Sequence, residues 1–129
     1  MVPEALKSYE GEWVAVSGRL GASTIPLPDT TFTIAAERYV VVSAHGQDEG
    51  HLKWGPVAKP QAVDLVGTGG AHAGKTINAI ARVTEDMMQL CYAVDGGGRP
   101  RGFDVVSGIP LVTVRYRRIR AGGPDRNGN

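Results

Sequence analysis

Residues 69 to 76, "GGAHAGKT", place a glycine, four intervening residues and then Gly74-Lys75-Thr76 in the spacing of a phosphate-binding loop. Such a loop wraps backbone N–H groups around phosphate at the N-terminus of a following helix. Here "INAIARVTEDMMQLCYAV" follows. Ile77, Ile80 and Val83 fit one helical face, but Thr84-Glu85-Asp86 interrupts it and the next segment reads as strand. A mononucleotide fold also needs long parallel crossovers and an apolar strand that ends in a magnesium-holding Asp, whereas Asp64 lies inside "AVDLVG". The expected structure is therefore a hairpin loop turned by Gly69, Gly70 and Gly74, with Lys75 toward solvent.

Other residue types with chemical potential are dispersed. His45, His51 and His72 lie in or beside glycine-rich segments without metal-ligand spacing, so neither a metal nor another cofactor is expected. A nucleophilic Cys91 would need a base and a positive environment, and no histidine has a sequence-defined link to it. Tyr39, Trp54 and Tyr92 suit the wall of a mostly apolar pocket with a polar handle, or ordinary core packing. Asp64, a charge within an apolar strand, requires a partner, and Arg99 beside Pro100 is the expected one. Arg82 has two readings: pointing inward it would bind a carboxylate or enolate through its fork of donors, and pointing outward it solubilises a strand. Strict alternation puts Arg82 with Ile80, opposite Ala79, Ala81 and Val83.

The elements that must hold these residues are short and β-like. After "EALKSY", a turn or two of helix whose Leu6 and Tyr9 can cover an opening in the fold, apolar segments of five to nine residues alternate with turn signals. They include "WVAVSGR", "TFTIAA", "RYVVVSAHG", "EGHLKWG", "QAVDLVG", "KTINAIARV", "MMQLCYAV", "RGFDVV" and "PLVTVRYRRI". In the last, Val112, Val114 and Tyr116 should face inward; in "MMQLCYAV", Met88, Leu90, Tyr92 and Val94 form one set. About eight strands without a long helix must hide their edges, so an antiparallel β-barrel is expected, with a sandwich as the competing form. Trp13 is placed to seal one end of the barrel. Residues 1–120 read as one domain and "RAGGPDRNGN" as a disordered tail.

The chain has 129 residues, with 14 Lys and Arg against 13 Asp and Glu. That balance lacks the basic excess of a nucleic-acid binder. One cysteine excludes an internal disulfide, no stretch approaches a membrane span, and the N-terminus lacks signal-peptide character, so a cytoplasmic location is expected.

The ordered pieces Gly11 and Trp13, Lys59-Pro60 with Asp64-Leu65, Gly74-Lys75, Leu90-Cys91-Tyr92, and Arg99-Pro100 with Phe103 resemble a lipocalin-like domain family best known from planctomycete proteins. The resemblance covers most of residues 10 to 118 and implies a calycin-like barrel of eight strands, without transferable catalytic residues. Where the family commonly has a Gly-Ile-Tyr-Glu type segment, this chain has "AIAR". Ala81 thus replaces an aromatic ring and Arg82 an acid; an inward Ala81 would enlarge a cavity. The leading functional expectation is a barrel that holds a small apolar or amphipathic molecule. An enzyme that cyclises or isomerises a bound metabolite, and a filled barrel serving protein interaction, are the alternatives. A homodimer would pair through an edge strand such as "RYVVVSA".

Overall fold

A computed structural model describes residues 4–27, 29–44, 46–94, 98–103 and 110–119. Among these residues a 3₁₀ helix, Glu4–Tyr9, precedes nine strands: β1 (Gly11–Leu20), β2 (Ser23–Thr24), β3 (Thr31–Ala35), β4 (Arg38–Ser43), β5 (Gly46–Trp54), β6 (Gln61–Gly69), β7 (Thr76–Thr84), β8 (Met87–Ala93) and β9 (Leu111–Ile119). Each strand from β3 onward pairs antiparallel with its sequence neighbour, and β9 returns to pair with β1. The two-residue β2 is an appendage of β1. Removing it leaves a closed antiparallel barrel of eight strands, in agreement with the expected fold.

Alternation sets the walls. In β6, Gln61, Val63, Leu65 and Gly67 are buried, whereas Ala62, Asp64 and Val66 are less so. In β9, Val112, Val114 and Tyr116 join the interior as expected, and in β8 Met88, Leu90 and Tyr92 do the same. Val94 departs from that set: it follows the strand's last residue, Ala93, and is exposed. In β7, Ala79, Ala81 and Val83 face inward.

Two irregularities redirect the chain. The pairing of β1 with β9 slips between Ala15 and Ser17, so Val16 is surplus and exposed. Beyond this bulge the faces of β1 invert, Gly18 pairing with inward Val114 and Arg19 with Thr113. At the β3–β4 and β7–β8 turns, Ala36 (φ 57°) and Glu85 (φ 42°) take left-handed backbone without being glycine.

The segment Arg101–Phe103, expected as the start of a strand, is instead a bend; Asp104 and the next residues of that segment lie outside the described ones. It folds over the outer face of the barrel, where Phe103 packs on Ile80, Cys91 and Leu111 in a small second apolar cluster. That cover explains why Cys91, on the outward face of β8, is fully buried. "RYVVVSA" is no edge either, because β4 is paired on both sides, to β3 and β5. The proposed tail and the domain limit at residue 120 lie outside the described residues.

The end of the barrel under the 3₁₀ helix is closed by Trp13 and Arg118. Trp13 is fully buried and its Nε1–H donates to the Tyr9 carbonyl at 3.0 Å. Arg118 lies over the indole at 4.2 Å from its centroid and donates to the carbonyls of Glu10 (2.8 Å), Ser8 (2.8 Å) and Glu85 (3.1 Å). Asp86 is 3.7 Å from its Nε. Hydrogen bonds from a charged donor contribute about 1.5–3 kcal/mol each, and cation–π contact at a partly exposed site adds about 1 kcal/mol. Arg118→Met should therefore lower unfolding free energy by at least about 2 kcal/mol in urea titration, and Arg118→Lys, a point charge without the planar fork, should recover less than half of the loss.

Candidate functional site

The six residues singled out in the sequence fall into two groups on opposite sides of the barrel wall. Tyr39, Trp54 and Tyr92 are inside. Tyr39 meets Phe32 edge to face at 5.9 Å, and Phe32 meets Tyr116 at 5.5 Å, so an aromatic layer fills the axis. Trp54 ends β5 and meets Tyr9 of the 3₁₀ helix at 5.1 Å. Its Nε1 is buried and has no hydrogen-bond partner among the described residues.

Asp64, Arg82 and Arg99 are outside. Asp64 alternates with inward Val63 and Leu65, and accepts from Asn78 of β7 at 2.9 Å. Arg99 Nη2 is 2.8 Å from Asp64 Oδ1, so the expected pair is formed. Arg99 Nη1 also donates to the carbonyls of Ala79 (2.9 Å) and Val63 (3.3 Å). These bonds pin the 98–103 segment to the wall and make the pair a structural clasp. Arg82 points away from the interior: it donates through Nε to Gln89 and stacks on Phe103, 4.2 Å from the ring centroid. Its inward reading, as a ligand for a carboxylate or enolate within the barrel, is therefore set aside, and Ala81 is the inward residue of the two.

The glycine-rich loop is the β6–β7 hairpin connection, followed by a strand. Its amides serve its own turn: Ala73 N–H donates to Gly70, Gly74 N–H to Gly67 and Lys75 N–H to His72, at 3.0–3.1 Å. A side chain at Gly67 would come within 2.0 Å of the His72 carbonyl, so glycine is needed where the loop folds back. His72 is held by Asp48, Nδ1 to Oδ2 at 3.3 Å. His45 lies outside the described residues, and among the described ones no cluster suits a metal.

Sequence reasoning missed the groove between the 3₁₀ helix, residues 57–61 and β7. Pairing of β6 with β7 starts at Gln61 and Ala81, so β7 runs on to Thr84 without a β6 partner. A groove of about 740 Å³ lies there, lined by Leu6, Tyr9, Val57, Ala81, Val83 and Phe103 among others. Gln61 shapes its lip. Although almost fully buried, its amide is satisfied: it accepts from Ala58 N–H at 3.1 Å and donates to the Gly55 and Ala62 carbonyls at 3.0 Å. The sequence signal for it was a polar residue at an inward position of an otherwise alternating strand.

Burial governs the titratable groups. The Tyr9 hydroxyl is pushed up to about 12, and Tyr116 well above the ordinary phenol value, by loss of hydration; Tyr92 adds to the effect at Tyr116. Burial raises Tyr92 and Tyr39 as well, with smaller contributions from Cys91 and Asp48 respectively. Burial also raises the Cys91 thiol, against a hydrogen bond from Thr113 (3.4 Å) and the charge of Arg19, which act to lower it. Cys91 is thus a packed thiol rather than a nucleophile.

Comparison with known protein families, curated proteins and solved structures finds no match. The barrel is consistent with lipocalin and calycin-like architecture at the level of fold.

The buried phenols make a pH prediction. A neutral phenol held in the fold above its unfolded value of about 10 contributes stability in full below pH 10, and loses it as pH rises through about 12. All four tyrosines share this direction. Tyrosinate absorbance should therefore rise together with the loss of near-ultraviolet circular dichroism on alkaline titration; a full tyrosinate signal near pH 10 in the folded protein would refute the assignment.

Proposed function

We propose that the protein binds a small, largely apolar molecule in the groove beneath the 3₁₀ helix. The observation that carries this reading is that Ala81 and Val83, which belong to the interior face of β7, line the groove together with Leu6 and Tyr9. The groove is thus an opening in the barrel wall where β6 has not yet begun. Small Ala81 leaves the space that an aromatic side chain would occupy, in line with the departure from the lipocalin-like pattern.

A volume of about 740 Å³ falls within the range of about 300–1,000 Å³ typical of small-molecule sites. The wall is chiefly apolar, and a polar handle is close. Trp54, behind the groove-lining Tyr9 that its ring touches, has a buried Nε1 donor with no partner among the described residues. A ligand acceptor that reached it would satisfy a group that otherwise costs about 1–3 kcal/mol to leave unmade.

Binding without turnover is favoured over catalysis because the polar candidates are divided between the two faces of the wall. Tyr39 and Tyr92 are inside, whereas Asp64, Arg82 and Arg99 are outside. A filled-barrel interaction domain is the second reading, favoured by the aromatic layer of Phe32, Tyr39 and Tyr116.

Nile red, a neutral apolar dye, should bind with a change in its emission and be displaced by dodecanol. Ala81→Phe fills the groove from the interior face and Val57→Asp charges its exposed lip; each should weaken the dye at least about tenfold, or about 1.4 kcal/mol. Val57 is 57% exposed, so its variant leaves the fold intact. Dye binding unchanged in both variants would shift the conclusion to the filled-barrel reading.

A further inference from the structure

The outer face of β7, β8, β9 and β1 carries a second groove, of about 620 Å³, with a different chemistry. Arg19, Arg82 and Arg115 line it together with Ser17, Thr24 and Gln89, and none of the described residues that line it is acidic. The chain as a whole has 14 Lys and Arg against 13 Asp and Glu, so three positive charges without a carboxylate among the described lining residues mark a local segregation, not a general basicity.

Register assembles the groove. Arg82 pairs with Gln89, Gln89 with Arg115, and Arg115 with Ser17, giving one outward row across four strands. Arg19 joins from the next row, opposite Thr113. It does so only because the bulge at Ala15/Ser17 inverts the faces of β1; strict alternation from inward Trp13 would have turned Arg19 into the barrel. Adjacent strands are about 4.8 Å apart, which puts the backbones of Arg82 and Arg115 on the order of 10 Å from each other.

The side chains of Arg19 and Arg115 have no ion pair or hydrogen bond among the described residues. Arg82 is held on one face by Phe103 and at Nε by Gln89, while its two terminal nitrogens have no partner among the described residues. A guanidinium fixed in orientation, with both terminal nitrogens unpaired among the described residues, is prepared for two-point binding of an oxyanion at low entropic cost. Like charges on neighbouring strands repel, and an anion between them relieves that repulsion.

We propose that this groove is a binding site for a phosphate-class oxyanion, with Arg82 as the oriented fork and Arg19 and Arg115 as flanking charges. The site differs in chemistry from the apolar groove, and Arg82 and Thr84 border both. The shared border raises two sources for the anion: a free phosphate compound, or the head of an amphiphile whose chain reaches the apolar groove.

Titration calorimetry with pyrophosphate, dodecyl phosphate and dodecanol tests the site. The comparison uses the unaltered protein, Arg19→Gln, Arg115→Gln and, as a charge control on the far side of the barrel, Arg38→Gln. Arg38 is exposed on β4 and lines neither groove. Pyrophosphate binding that falls at least tenfold in Arg19→Gln and Arg115→Gln, but not in Arg38→Gln, is the result expected for a free phosphate compound. The same arginine dependence for dodecyl phosphate without pyrophosphate binding identifies an amphiphile head and equally supports the site. The proposal is overturned if neither phosphate binds more tightly than dodecanol, or if Arg38→Gln weakens binding as much as the groove variants. Nile red affinity, read in parallel, reports the apolar groove separately.

Discussion

The seam between β9 and β1 is the constraint on which the barrel depends, and Arg118 is its fastener. A meander without this pairing would be an open sheet with two exposed edges and an uncovered apolar face. Trp13 and Arg118 are direct register partners across the seam. The guanidinium covers the indole and binds carbonyls from the 3₁₀ helix and from the β7–β8 turn. One side chain thus joins barrel closure, end cap and hairpin, and the cap then supplies Leu6 and Tyr9 to the groove.

The two sides of the wall are specialised in consequence. Inside, aromatic rings crowd the axis, and the small residues of β7 leave space near its end, beside the cap. Outside, the 98–103 segment is clasped by Arg99 to Asp64 and places Phe103 over Cys91 and beneath Arg82. Covering an outward cysteine and orienting an arginine are therefore two effects of one bend. The apolar and cationic grooves meet at Arg82, the residue where the wall changes from capped to clasped.

Much of this architecture was legible because alternation is a local signal. Val112, Val114 and Tyr116 announced an inward face, and Asp64 announced a partner because an unpaired carboxylate is costly within an apolar strand. What was hidden depends on register and on loops. Arg118 reads as one more cation in "RYRRI" until the seam brings it to Trp13. Arg19, Arg82 and Arg115 are far apart in sequence, and the bulge that turns Arg19 outward has no compositional mark. "RGFDVV" has strand composition, but its first residues, Arg101–Phe103, form a bend, and Phe103 covers Cys91 and Ile80, a contact that no local pattern announces.

Closure through the first and last barrel strands also imposes an order on folding. The bond from Arg118 to Glu10 joins residues 108 apart, among the longest loops this chain can close. Hairpins between β3 and β8 are local and can form early, whereas β1 must keep an unpaired edge until β9 is available. During synthesis β9 is the last of these strands to leave the ribosome, so the nascent chain passes through a stage with its apolar interior open. Barrel completion is then a late, cooperative event, and the interval before it is when the protein is most exposed to aggregation and to capture by chaperones.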